Sequence, residues 1–317
     1  FADYAAVITK HLGDRVSNWI TINEPWVVAN YGYKSGEMAP GIKDEKLSLQ
    51  VAHHLLVAHG KATQALRSDN SSAQVGISHF LRPTAPASRD PRDVEAARST
   101  WSRDGRWFLD PIFKAYYPPD IWNEYGTRAP RVKPRDMSLI SQNLDFLGVN
   151  YYTRNVMSRE GQVLKVPGSK YTEMGWEVTP DALQKLLLDI SKEYKLPPIY
   201  ITENGAAFED QLTEAGECED EDRLSYIRDH LLHTRIAMEQ GVDVRGYFLW
   251  SLMDNFEWAY GFSKRFGIVH VDFKTQKRTI KKSGHWYSNV IRNFGFPTEK
   301  QVMDKIAMAG SDRTERK

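Results

Sequence analysis

Five short runs rich in β-branched and aromatic residues recur along this 317-residue chain, near residues 20, 76, 147, 200 and 247, and helical patterns fill most of the space between them. Strands that alternate with helices form βαβ units, and so an α/β fold with a parallel sheet under helical cover. The runs cover residues 19–23, 74–80, 144–150, 198–202 and 244–252. The first stops at Glu24-Pro25, because Pro25 has no N–H to give to a ladder. Helices are expected over 1–12, 48–67, 93–109, 180–194, 220–240 and 282–293. In the first of them Phe1, Ala5, Ile8 and Leu12 share one face; in the second Val51, Leu55, Ala58, Ala62 and Leu66 do. Residues 31–41 read as a Gly/Pro-rich loop, 153–177 as a long loop or hairpin, and 267–273 as a further short strand. The charged tail after Lys300 is expected to fray. No repeat or linker interrupts the pattern, so residues 1–317 read as one domain. A closed (β/α)8 barrel needs eight strands, and only five main ones are visible.

Composition removes several function classes. Lys and Arg total 42 against 41 Asp and Glu, a net charge of +1, which gives no electrostatic case for nucleic acid or an anionic membrane surface. No apolar run approaches the ~20 residues of a membrane span. A single cysteine, Cys218, excludes an internal disulfide framework and a Cys-based zinc site. Aromatic residues make up 12% of the chain, with nine Trp. Most belong in a core, yet a flat indole also stacks on the apolar face of a pyranose. The chain starts at Phe1 rather than Met and shows no leader pattern, which points weakly to the cytoplasm.

The chemistry lies at strand ends. Glu24 and Glu203, 179 positions apart, each directly follow a β run. In a parallel barrel all the carboxyl ends of the strands face one mouth, so the two side chains can meet in one cleft. Two facing carboxyls, one protonated and one ionised, are the minimum machinery for glycoside hydrolysis. The bland alternative is a Glu that caps a helix or pairs with a surface Lys. No metal site is expected: His54 and His59 are five apart, not the four that share a helix face, and read with His53 as helix and loop histidines. The acidic stretch 217–222 reads as a solvated loop and helix start, with Cys218 exposed in it and without a nucleophile's partner.

Asn23-Glu24-Pro25 together with Thr202-Glu203-Asn204-Gly205 resembles the motif pair of glycoside hydrolase family 1, the β-glucosidase family. Asn150-Tyr151-Tyr152, the run from Trp250 to Trp258 and Phe266-Gly267-Ile268 resemble further family motifs, in the family's order and over essentially the whole chain. The resemblance implies a retaining β-glucosidase acting on β-glucosides or cello-oligosaccharides, with no cofactor. By position, Glu24 is the implied general acid/base and Glu203 the nucleophile, and a retaining pair is expected about 5–5.5 Å apart. Asn23 is implied to bind the sugar 2-hydroxyl, Tyr152 to hold Glu203, Trp250 to form the platform under the sugar, and Glu257 and Trp258 to bind the outer hydroxyls. Asn150 and Phe266 complete the implied substrate-binding set.

The same resemblance places the start of the chain in the helix after the family's third strand. It implies an incomplete (β/α)8 TIM barrel lacking about the first three strands, with five main parallel strands under helical cover. The Arg that the family sets beside the nucleophile has no counterpart, which is expected to raise the pKa of Glu203. Open sheet edges imply association with further copies of the chain. Two other readings follow from an open barrel: a self-associating remnant that holds unfolded proteins, and a sugar binder that turns nothing over.

Overall fold

The computed structural model describes residues 1–70 and 72–297; the expected fraying after Lys300 lies outside them. Nine strands are present among these residues: β1 (Asn18–Asn23), β2 (Gln74–Phe80), β3 (Thr84–Pro86), β4 (Phe146–Asn150), β5 (Asn155–Met157), β6 (Ile199–Asn204), β7 (Val244–Leu249), β8 (Val269–Val271) and β9 (Arg278–Ile280). Five of them form the central sheet in the order β1-β2-β4-β6-β7, every pair parallel. Within this sheet β1 and β7 each have one neighbour. The register sets Asn23 beside Ser78, Phe80 beside Asn150, and Asn150 beside Glu203, so the carboxyl ends of the strands share one rim.

Among the described residues ten α-helices lie between and around the strands: α1 (Ala2–Leu12), α2 (Pro25–Ala29), α3 (Glu45–Asp69), α4 (Pro91–Trp101), α5 (Trp107–Phe113), α6 (Pro119–Tyr125), α7 (Asp136–Ile140), α8 (Pro180–Glu193), α9 (Glu221–Glu239) and α10 (Lys282–Arg292). Their starts follow local chemistry. Asp44 accepts the Leu47 N–H at 2.9 Å at the head of α3; Asp90 accepts the Arg92 N–H at 2.9 Å ahead of Pro91 in α4. The inner strands β2, β4 and β6 turn their branched residues toward the helices. Ile77, Leu147, Val149, Ile199 and Ile201 are fully buried against helical residues such as Leu56, Trp107, Leu183 and Leu187. The opposite face gathers the small polar side chains Ser78, Asn150 and Thr202. None of the described helices is long and apolar enough to cross a membrane.

Several sequence expectations need correction. The first part of the loop expected over 31–41 lies in a π-helical turn, Asn30–Lys34, that continues α2, because Pro25 sets the first helical φ and nothing breaks the chain until Ser35. The helix expected over 93–109 is interrupted by a π-helical turn at Ser102–Arg106. Helices α6 and α7 fall in a stretch punctuated by Pro118, Pro119, Gly126, Pro130 and Pro134, where no periodicity is long enough to read. Part of the 153–177 loop is β5, which pairs in parallel with β3. Cys218 is buried, not exposed, and burial pushes its thiol up to about 11. Asp220 beside it is buried too, because Arg223 and Ser283 supply its partners.

Candidate active site

Glu24 sits one residue beyond β1, with φ 52° and ψ 60°. A left-handed backbone is uncommon for a side chain other than Gly or Asn, and such strain concentrates at functional sites. It turns the chain so that Pro25 can start α2 and the carboxyl faces the rim. Glu203 reaches the same rim as the penultimate residue of β6. Both line a cleft of about 400 Å³, within the range of small-molecule sites. Its walls are largely aromatic, with Tyr152, Trp176, Trp250, Trp258 and Phe266 among them.

A hydrogen-bonded chain fixes both carboxyls. Tyr152 Oη donates to Glu203 Oε2 at 2.6 Å, and Asn23 Nδ2 donates to Glu203 Oε1 at 3.3 Å. Asn150 Nδ2 donates to Glu24 Oε1 at 2.9 Å and to Asn23 Oδ1 at 3.1 Å. Asn150 Oδ1 in turn accepts from Ser78 Oγ at 2.9 Å and Thr202 Oγ1 at 2.5 Å. Asn150 is fully buried and lies behind the cleft; its side chain is turned to Asn23 and Glu24.

These surroundings shift the protons. Burial first, then the charge of Glu203, pushes the Glu24 carboxyl up to about 8, although the Asn150 bond opposes it. Glu203 is also raised by burial, but the bonds from Tyr152, Asn23 and Asn150 counter this by favouring its ionised form. Burial, rather than the missing Arg that the sequence pointed to, is the cause of this rise. Glu257 is pushed up to about 7 by burial and the Glu203 charge, against a hydrogen bond from Trp250. One of the two strand-end carboxyls therefore keeps a proton at neutral pH while the other is held ready to ionise.

The remaining wall comes from the run after β7. The Trp250 N–H donates to the Asn204 carbonyl at 2.9 Å, tying that run to the end of β6. The approach is so close that a Cβ at position 205 would lie 1.7 Å from the Trp250 carbonyl oxygen, so only Gly205 fits. Glu257 and Trp258 project into the cleft from a tight turn closed by the Glu257 N–H to the Gly261 carbonyl at 2.7 Å. Trp258 is 62% exposed, Phe266 is buried against Tyr152, and Trp250 lies between these extremes. The expected site residues thus meet at one cleft, with Asn150 behind it. Sequence reasoning missed Tyr31, Glu37, Met38, Phe80, Met174 and Trp176, which also line it. Trp176, an indole in a polar Gly-punctuated stretch, was the one readable signal among them. The histidines are elsewhere: His53 bonds Tyr117 and Asp136, His54 bonds Gln50, and His59 bonds Thr21.

Known proteins share this arrangement. The profile of Glycosyl hydrolase family 1 matches residues 1–296. Beta-glucosidase A of Acetivibrio thermocellus is 44% identical over 93% of this chain, which spans 68% of that protein. Beta-glucosidase A of Thermotoga maritima is 41% identical at the same coverages. The solved family 1 β-glucosidase of Thermotoga maritima superposes with a TM-score of 0.91 at 40% identity, over 94% of this chain and 68% of its own. That enzyme has also been solved with deoxynojirimycin bound. Two strand-end glutamates on one cleft, a matching parallel sheet and a profile match over nearly all the described residues have one common explanation: the chain belongs to glycosyl hydrolase family 1.

Proposed function

We propose that this protein is a retaining β-glucosidase, with Glu203 as nucleophile and Glu24 as general acid/base. The observation that carries the reading is the contrast between the two carboxyls: Glu24 is pushed up to about 8, while Tyr152 and Asn23 favour the ionised form of Glu203. Two carboxyls on one cleft, one holding a proton and the other bonded by donors that favour its ionised form, suit the two roles of the double displacement. Glu203 attacks the anomeric carbon as Glu24 gives its proton to the departing oxygen. The glycosyl ester removes the Glu203 charge, which is one of the causes holding Glu24 up. Glu24, already ionised by that proton transfer, is therefore more easily held as a carboxylate and takes a proton from the water that cleaves the ester.

Asn23, beside Glu203, takes the 2-hydroxyl of the sugar. Trp250 forms the platform under the ring, and Glu257 and Trp258 take the outer hydroxyls. Phe266 backs Tyr152. The substrates are β-glucosides and short cello-oligosaccharides, which the aromatic cleft suits. The sheet reads as five of the eight strands of a (β/α)8 barrel, and copies of the chain associate through its β1 and β7 edges. Ile20, Phe248 and Leu252, at 44%, 57% and 65% exposure, favour that association.

Hydrolysis of an aryl β-glucoside by the size-fractionated protein, beside Glu203→Gln, tests the reading. Turnover that vanishes in the variant supports it. Absence of turnover from folded protein, with glucose protecting against unfolding, overturns it in favour of a binder.

A further inference from the structure

The run that presents Glu257 and Trp258 has little apolar burial to hold it: Phe256 and Trp258 are 58% and 62% exposed. Charge holds it instead. The Asp254 side chain is fully buried and accepts from four donors. Lys281 Nζ at 2.8 Å and the Gly267 N–H at 3.1 Å reach Oδ1; Arg265 at 2.5 Å and the Val271 N–H at 3.2 Å reach Oδ2. Lys281, equally buried, also donates to Asp210 at 2.5 Å. Arg223 forks onto both oxygens of Asp210 at 2.7 and 2.9 Å, donates to Asp220 at 2.6 Å, and reaches the carbonyls of Ala206 and Arg265. Asp210, Asp220 and Asp254 thus balance Arg223, Lys281 and Arg265.

None of these six side chains lines the cleft. They join the three segments that do: Ala206 follows the Glu203 turn, Asp254 lies three residues before Glu257, and Arg265 precedes Phe266. A buried ion cluster gives little net stability compared with apolar packing of the same volume, but it defines one geometry sharply.

We propose that the cluster of Asp254, Lys281, Asp210, Arg223 and Arg265 is a positioning device that sets Glu257 and Trp258 against Glu203, and so determines how tightly the cleft holds a sugar. This rests on the reading of the cleft as a glucoside site. A displacement of about 1 Å at a reacting centre costs as much as 100-fold.

Arg265 is the accessible member, with a side chain 23% exposed. The test measures glucose binding by calorimetry, together with kcat and KM for an aryl β-glucoside, in wild type, Arg265→Met and Arg265→Lys. Arg106→Met is the control. Arg106, 21% exposed, pairs at 3.1 Å with the buried Asp110, and neither lines the cleft. Arg265→Met is expected to weaken glucose binding about 10- to 100-fold per folded molecule, with Arg265→Lys recovering most of the loss. Arg106→Met is expected to lower Tm and leave binding unchanged. If Arg265→Met does not fold, Arg265→Gln, which keeps a donor, takes its place. Unchanged binding in the Arg265 variants, or an equal loss in Arg106→Met, overturns the positioning role. A folded wild type that neither binds glucose nor turns over the glucoside overturns the glucoside reading itself, and the positioning role with it.

Discussion

The Tyr152 phenol donates to Glu203 Oε2 at 2.6 Å. Asn23 serves the other oxygen, so each lone-pair side that Glu203 turns toward the protein has a neutral donor. Among the described residues no cation contributes to the Glu203 shift, and its ionised form rests on these bonds against the burial that raises its pKa.

Removing the phenol oxygen separates these two effects. In Tyr152→Phe the bond that favours the ionised form is lost while the burial remains, so the Glu203 pKa rises and the acid limb of kcat/KM moves to higher pH. A hydrogen bond to a charged group contributes about 1.5–3 kcal/mol, so kcat is expected to fall by one to two decades. A pH–rate profile of wild type and variant checks both. An acid limb that stays put would show that Tyr152 does not govern the charge of Glu203.

The protonated Glu24 makes an opposite prediction for stability. Its folded pKa of about 8 lies above the ordinary 4.5, so between those pH values the unfolded chain releases a proton that the folded chain retains. Stability therefore falls as pH rises through that window and is unaffected below it. Glu24→Gln removes the titration. It is expected to stabilise the fold at pH 8 by an amount of order 1–4 kcal/mol after solvent screening on the open side, seen as a higher Tm, and to make no difference at pH 4. Thermal melts at the two pH values decide it; an equal shift at both would point to packing rather than proton linkage.

The basic limb of activity belongs to the same group. Glu257 is among the charges that raise Glu24. Glu257→Gln removes a negative neighbour, so the Glu24 pKa drops and the basic limb moves to lower pH, while KM for the glucoside rises. The shift is expected to be a fraction of a unit, since burial and Glu203 are the larger causes. A profile unchanged on the alkaline side would remove Glu257 from that role.

What the sequence made legible follows from where the information is local. Each central strand is a short apolar run ended by Pro25, by Gly205 or by a polar turn, and the parallel order follows from the helices between runs. Glu24 and Glu203 were readable because each directly follows such a run. Asn150 was readable as a site residue, but not as the hub that bonds Glu24 and Asn23 at once, because its partners are 126 and 127 residues away. The same holds for Asp220 and Cys218: their acidic neighbours suggest solvent, and only packing brings Ser283 and Lys282 onto them. The π-helical turns at Asn30–Lys34 and Ser102–Arg106 carry no composition of their own.

Gly205, two residues after Glu203, has no room for a side chain. Its Cα faces the Trp250 carbonyl so closely that an added methyl cannot be accommodated by a side-chain shift; the backbone of one segment must retreat. Gly205→Ala is therefore expected to move the Trp250 indole away from Glu203. Activity is expected to drop by 100-fold or more, as for a misplacement of about 1 Å, and Tm to fall with it. The loss should appear in glucose binding as well as in kcat. A variant that binds glucose normally and fails only in kcat would place the damage at Glu203 rather than at Trp250.

Asn150 offers the sharpest separation of charge from shape. Its amide nitrogen donates to Glu24 and Asn23, and its oxygen accepts from the buried Ser78 and Thr202 hydroxyls. Asn150→Ala strands those groups, which costs about 1–3 kcal/mol of stability and frees Glu24 from a bond that lowers its pKa. Asn150→Asp keeps the volume and the acceptor for Ser78 and Thr202, but replaces the donor with a negative charge beside two glutamates. Both effects push Glu24 further up, so the basic limb should move above that of wild type in both variants, and further in Asn150→Asp. A carboxyl titration of Glu24 by nuclear magnetic resonance reads this even where turnover is too slow to measure. If Asn150→Asp lowers the Glu24 value, the proton on Glu24 is not set by this bond but by burial and the neighbouring Glu203 and Glu257 charges.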